Sequence, residues 1–288
     1  MNLSDRIAII TGAGGGLGRC HALLAARLGA KVLVNDMNGE NAERVAEEIR
    51  EAGGVATGIA ASVTNEAAVA EMAERALSDW GRIDILVNNA GILRDKSFAK
   101  MDIADFRLVM DVHLMGAVIC TNAVWETMRQ QNYGRVVFTT SSSGLFGNFG
   151  QSNYGAAKMA LVGLMQTLAL EGANYGIRVN CLAPTAATPM TENLLPPDVI
   201  EKIAPELVSP GLMALVGEDA PNKTILSTGA GHYARTNVSL TKGVYIGGGD
   251  DASDAVLARW DEIGDRSGDI VPGRGYDQVE RELNSSSK

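Results

Sequence analysis

Cysteine is scarce in this chain. The three that occur, Cys20, Cys120 and Cys181, are odd in number and widely separated. Such a set excludes a disulfide framework and reads as reduced, buried thiols in a cytoplasmic protein. Histidine is as rare, with three residues and no grouping with cysteine, so no metal site is expected. No apolar run approaches the ~20 residues that cross a bilayer. There is no basic run, and the net charge is −9. Both features speak against nucleic acid and against an anionic membrane as partners. The first residues have neither the basic nor the apolar segment of a secretory leader.

What is present is ordinary globular material. Of 288 residues, 46% are apolar and 20% charged, enough for one large core. The expectation is a single α/β domain over residues 1–288.

The N-terminal order is strand, glycine turn, helix. Arg6 to Ile10 reads as a short apolar strand, followed by Thr11-Gly12-Ala13-Gly14-Gly15-Gly16-Leu17-Gly18 and a helical stretch from Arg19 to Leu28. Glycines let backbone approach a pyrophosphate, and the amides at a helix start hold it. Lys31 to Asp36 is a second strand ending in a carboxylate. At that place a carboxylate accepts the ribose 2′-hydroxyl of NAD and repels the 2′-phosphate of NADP. Neither Gly15 nor Met37 supplies a cation to reverse that preference. The alternative is that Asp36 begins a turn.

Strands and helices then alternate. Helices are expected at 40–52 and 66–80, and strands at 54–61 and 83–87, the last running into Asn88-Asn89-Ala90-Gly91. This alternation predicts a parallel sheet with helices on both faces. The asparagines suit both a loop brace and a cofactor wall. Residues 102–131 read as two helices interrupted near His113. The second of them and 156–172 carry apolar faces wide enough to pair across a two-fold axis.

Ser141, Tyr154 and Lys158 form the second focus. Ser141 follows the apolar run Val136-Val137-Phe138, and Tyr154 and Lys158 are spaced i, i+4 on a predicted helix. A free phenol ionises near pH ~10; a neighbouring ammonium is expected to lower that value. The same pair also fits a plain half-exposed helix face. After a strand at 177–183, seven of the eight prolines fall within 184–222. This stretch, with the methionines and leucines of 189–215, reads as a mobile substrate lid. A last strand is expected at 225–228. In the extension from 250 a helix is expected at 252–263 and disorder at 285–288.

Thr-Gly-x-x-x-Gly-x-Gly at 11–18, Asn-Asn-Ala-Gly at 88–91, and Ser141, Tyr154 and Lys158 occur in the order and spacing of the short-chain dehydrogenase/reductase family. The stretch from about 5 to 250 resembles that family. The resemblance implies a doubly wound Rossmann fold with a seven-stranded parallel sheet and hydride exchange with NAD(P). It implies Tyr154 as acid/base, Ser141 as substrate anchor and Lys158 on the nicotinamide ribose. It also implies a homodimer or homotetramer. The cofactor residues it points to are Gly12, Gly16, Leu17, Gly18, Asp36, Ser62 and Val63. Asn89, Ala90, Gly91 and Pro184 complete the set, with Tyr154 and Lys158.

Residues 91–98, 113–116 and 147–151 further resemble a subgroup, the (3R)-hydroxyacyl-CoA dehydrogenase domain of peroxisomal multifunctional enzyme type 2, also called 17β-hydroxysteroid dehydrogenase type 4. A free-standing relative is expected, without hydratase or sterol-carrier segments. Two features depart from the wider family. His113 stands where most members hold a relay water with asparagine, as in the subgroup, and serves either that role or a structural one. Pro184-Thr185 replaces the usual Pro-Gly. The expected activity is NAD-dependent oxidation of a 3-hydroxyacyl-CoA. Alternatives are a hydroxysteroid dehydrogenase, a dehydrogenase of steroid or aromatic acid CoA esters, and an inactive dinucleotide sensor. For a CoA head group, Arg94 with Lys96, or Arg235 with Lys242, are the candidate cations.

Overall fold

The computed structural model describes residues 1–187, 200 and 202–285. The chain divides into two compact units, Met1–Arg235 and Thr236–Lys288.

In the first unit, β1 (Ile7–Ile10) is buried at all four positions, as befits a strand covered on both faces. It is followed by α1 (Gly16–Arg27), β2 (Lys31–Asp36), α2 (Gly39–Glu51), β3 (Val55–Ala60), α3 (Glu66–Trp80) and β4 (Ile85–Asn88). Asparagines start α2 and α3. Asn38 Oδ1 accepts from the Glu40 and Asn41 amides, and Asn65 Oδ1 from that of Ala68. Then come α4 (Ile103–Met110), a π-helical turn (Asp111–Met115) and α5 (Gly116–Gln131). The interruption expected near His113 is thus one π turn, a feature that widens the helix and re-aims its side chains. β5 (Gly134–Thr139), α6 (Ser142–Phe146), α7 (Ser152–Glu171) and β6 (Ile177–Thr185) follow, then α8 (Ser209–Val216), β7 (Ile225–Gly229) and β8 (His232–Thr236).

The strand order is β3-β2-β1-β4-β5-β6-β7-β8, with parallel pairing from β3 through β7. The chain therefore winds outward in both directions from β1. Alternate residues feed two cores. Ile7, Ile9 and Leu33 pack with α3, α5 and α7 on one face. Ala8, Ile10, Val32 and Val34 pack with α1, α2 and α8 on the other. The order reverses beside β1, and the crevice at the strands' C-terminal ends is where open α/β sheets bind ligands.

Two expectations need correction. The sheet has eight strands. Ala230 and Gly231, at φ 51° and 73°, make a two-residue turn that sends β8 back beside β7. The expected lid is in part core. Residues 188–199 and 201 lie outside the described residues, but α8 buries Leu212, Met213, Leu215 and Val216. Its prolines mark helix starts: Pro205 opens a 3₁₀ turn and Pro210 opens α8.

In the second unit the helix expected at 252–263 is two helices, α9 (Ala252–Ala258) and α10 (Trp260–Ile263). A further helix, α11 (Tyr276–Ser285), was not expected. It includes Ser285, whose hydroxyl donates to Arg281 O at 2.8 Å; 286–288 lie outside the described residues. Leu240 and Ile270 exchange both backbone hydrogen bonds, at 2.9 and 3.0 Å. Among the described residues no helix is long and apolar enough to cross a membrane.

Candidate active site

The glycine turn is held open from behind. Thr11 Oγ1 accepts from the Asn89 and Ala90 amides at 3.0 and 3.1 Å. The Asn89 side-chain amide donates to Thr11 O and Gly12 O at 3.0 and 3.1 Å. Asn89 is therefore a brace, and Ala90 and Gly91 supply the wall. A Cβ on Gly18 would lie 2.3 Å from Gly12 O, so only glycine lets α1 approach the turn this closely. α1 begins with no side-chain cap and no acidic residue in its first turn. An uncapped helix start of this kind favours negative charge.

Asp36 ends β2 beside this turn. Its carboxylate accepts from Gly14 N at 3.0 Å and Asn38 N at 2.9 Å. Arg44 escaped the sequence reading. From α2 it returns over the turn and donates to Gly14 O at 2.8 Å. The signal was there in principle, since α2 starts three residues after Asp36 and its second turn comes back over the glycines.

Ser141 and Thr140 continue from β5. Ser141 caps α6, its Oγ accepting from Ser143 N at 3.2 Å. One wall away, α7 presents Tyr154 and Lys158 on one face, as their spacing predicts. Ser141 and Tyr154 line one cleft. Burial pushes the Tyr154 hydroxyl above its ordinary value, and the Ser141 hydroxyl pulls the other way. The expected lowering of the phenol by the ammonium is not what the structure has. Instead Lys158 gives way. Buried to 3% exposure, it is pushed down to about 7 by desolvation. Its Nζ donates to Thr139 O at 2.5 Å and lies 5.4 Å from the Tyr154 ring centre.

His113 comes from the π turn and meets Tyr154 edge-on at 5.2 Å between ring centres. Its Nε2 lies 2.8 Å from Ile92 O and 3.1 Å from Ile92 N. Burial, with help from the Lys158 charge, pushes the ring down to about 3, so it is neutral at pH 7. His113 Nδ1 and Asn88 Oδ1 are buried without a hydrogen-bond partner. Both residues line a cavity of about 10 Å³ with Lys158 and Thr11, the size of one water.

A single cleft of about 580 Å³ unites the two foci. Gly12, Gly16, Leu17, Gly18, Asp36, Asn89, Ala90 and Gly91 line it together with His113, Ser141, Tyr154, Lys158 and Pro184. Ser62 and Val63 are not in its lining. Ser62 Oγ shares a hydrogen bond with Thr64 Oγ1 at 2.9 Å, and Val63 is buried against Gly116. Arg94 and Lys96 are not in it either. Both pair with Asp105 on α4, Lys96 at 2.9 Å and Arg94 at 3.8 Å. Arg235, exposed, ends the first unit, and Lys242 belongs to the second. Two further lining residues, Asn148 and Gln151, had stood in the sequence only as marks of resemblance.

Comparison with known proteins agrees with this architecture. The short chain dehydrogenase family model matches residues 6–198. The peroxisomal hydratase-dehydrogenase-epimerase of Saccharomyces cerevisiae is 43% identical over 277 residues, covering 92% of this chain but 31% of the yeast protein. The structure of full-length peroxisomal multifunctional enzyme type 2 from Drosophila melanogaster superposes with a TM-score of 0.84 at 36% identity. It covers 99% of this chain and 50% of that one. A 7α-hydroxysteroid dehydrogenase complexed with NADH and 7-oxoglycochenodeoxycholic acid superposes with a TM-score of 0.75 at 30% identity, over 80% and 95% of the two chains. The chain thus spans half or less of these two multifunctional proteins. With the family model covering well over half of the sequence, the chain belongs to the short-chain dehydrogenase/reductase family of oxidoreductases.

Proposed function

We propose that the protein is an NAD-dependent dehydrogenase interconverting a 3-hydroxyacyl-CoA and its 3-oxoacyl-CoA. One observation carries the chemistry: Ser141, Tyr154 and Lys158 converge on the same cleft as an uncapped helix start and an acidic strand end. That cleft fits a nicotinamide dinucleotide. The Gly12–Gly18 turn and the α1 amides suit the pyrophosphate, Asp36 the adenosine ribose, and Lys158 with Tyr154 the nicotinamide ribose. When bound, such a cofactor supplies hydride exchange.

The chain's own residues handle the oxygen and its proton. Ser141 and Tyr154 present two hydroxyls to one substrate oxygen and fix the reacting carbon. In reduction, the protonated phenol favoured by burial donates to the oxygen as charge builds on it. In oxidation Tyr154 first passes its own proton inward to the neutral amine of Lys158, which is half neutral near pH 7 and has the small polar cavity of Asn88 and His113 behind it. The phenolate then takes the substrate hydroxyl proton. An inactive sensor would have no use for this complete set.

The acyl-CoA class rests on likeness to the dehydrogenase portion of multifunctional peroxisomal enzymes. The likeness to a bile-acid dehydrogenase supports the steroid alternative. The test compares kcat/KM for a 3-hydroxyacyl-CoA, the same acyl group on a short thioester, and a free hydroxysteroid. A gain from the CoA handle upholds the proposal; better turnover of the free steroid replaces it. The exposed Leu108, Met115 and Met159 further support a homodimer or homotetramer, which sedimentation would test. The three buried free cysteines suit a cytoplasmic location.

A further inference from the structure

The cleft wall opposite the glycine turn is more heavily built than a passive loop requires. Gln151 stands one turn before Tyr154, and its carboxamide is fixed on three sides. Nε2 donates to Asp95 Oδ2 at 2.7 Å. Oε1 accepts from Ser143 Oγ at 2.7 Å and Asn148 Nδ2 at 3.0 Å. A carboxylate only accepts, so Asp95 fixes which end of the amide faces it. With both Oε1 lone pairs used, Gln151 keeps one N–H proton and Asn148 another. Ser143, Asn148 and Gln151 all line the cleft beside Ser141 and Tyr154.

The backbone holds this wall in place. Lys96 N donates to Gly150 O at 2.9 Å, and Lys96 and Gln151 form a parallel bridge. Asn153, fully buried, donates to Arg94 O at 2.9 Å. Two loops are thereby joined into a preformed rim, which lowers the cost of gripping a ligand.

We infer that Gln151 and Asn148 form an amide subsite for a second carbonyl oxygen of the substrate, two carbons from the reacting carbon, so that the cleft selects β-oxygenated acyl compounds over lone alcohols and ketones. This deepens the proposed acyl-CoA reading and rests on it for the position of the reacting oxygen. The donors are uncharged, as suits an ester or thioester carbonyl. Asp95 behind them disfavours a free carboxylate in the same place. Asp95 and Ser143 act through Gln151 and are positioning residues.

The experiment measures kcat/KM for reduction of ethyl 3-oxobutanoate and of 2-pentanone, which lacks the second carbonyl, and takes their ratio. Gln151→Leu removes the donor, and Gln151→Glu replaces it with an acceptor facing Asp95. Asn148→Ala, on an exposed loop, leaves the bonds from Ser143 and to Asp95. The expected result is a fall in the ratio of about 10-fold for each Gln151 variant and several-fold for Asn148→Ala. A ratio within twofold of wild type in all three overturns the subsite, as does failure to reduce any β-oxo ester or thioester. Should Gln151→Leu fail to fold, the other two variants decide. Neither ester nor ketone carries CoA, so the outcome is separate from the CoA-handle test. A selective loss without a CoA gain keeps the subsite and removes the acyl-CoA reading; a CoA gain with an unchanged ratio does the reverse.

Discussion

Gly91 and His113 are matched residues. A Cβ on Gly91 would fall 2.3 Å from His113 Cε1 and 3.0 Å from Nδ1, distances that no side chain tolerates. The glycine lets the imidazole pack against the segment after β4, where Nε2 reaches Ile92 O. The π turn at Asp111–Met115 delivers the ring from the other side. Gly91→Ala must displace the ring or the wall. We expect activity to fall at least as far as in His113→Ala, with a lower Tm, measured by steady-state rates and thermal melts.

If His113 serves the inner polar cavity, an amide that can hold a water should replace it in part. His113→Asn is expected to retain substantial activity, while His113→Ala loses it. Equal rates in the two variants, with only Tm lowered, would make the histidine structural.

Cofactor choice should turn on Asp36 and Arg44 together. NAD(H) should bind more tightly than NADP(H), because like charges in contact cost several kcal/mol. Asp36→Ala should narrow the gap by about 10-fold or more. It should also weaken NAD(H), since the carboxylate holds Gly14 N. Arg44→Ala should weaken NADP(H) more than NAD(H). Equal affinities for both cofactors in titration of the wild type would refute the assignment.

Tyr154→Phe keeps the ring and removes the proton carrier. Acid/base groups contribute ~10²–10⁴-fold, so turnover should fall by at least that range while NADH still binds, as followed by fluorescence. Near-normal turnover would remove Tyr154 from the chemistry.

The site was legible where local rules govern. The i, i+4 spacing of Tyr154 and Lys158 put them on one helix face whatever surrounded them, and the glycine turn announced its own geometry. What tertiary burial decides was not legible. The Tyr154 phenol lies above its ordinary value rather than below it, because sequence shows the neighbouring charge but not the burial of the phenol itself. Pro205 and Pro210 looked like loop breakers yet open helical turns, since proline suits a helix start as well as a loop. Strand β8 was hidden because Ala230 takes a left-handed backbone without an Asn-Gly or Asp-Gly pair to mark the turn. Arg44 and the Asp95–Gln151 contact join residues far apart in sequence or on the far side of a turn, which spacing alone does not reveal.

The buried titratable groups predict a pH dependence with a definite sign. Lys158 moves from 10.5 to about 7 on folding. Between those values the unfolded chain holds more protons than the folded one, so this group's contribution to stability rises with pH through that window. Below about 7 the full penalty of burying an ammonium applies. Lys158→Met removes it. The variant should therefore melt higher than wild type, with the difference largest at and below pH 7 and shrinking towards pH 10. His21 and His113 move from 6.5 to about 3, so they add stability that is present above 6.5 and lost as pH falls towards 3. That acid-side loss should survive in Lys158→Met. Melting curves of both proteins from pH 4 to pH 10 separate the two effects. A constant difference in Tm across the range would mean that Lys158 keeps its ordinary proton affinity when buried, and the inward proton exit would lose its physical basis.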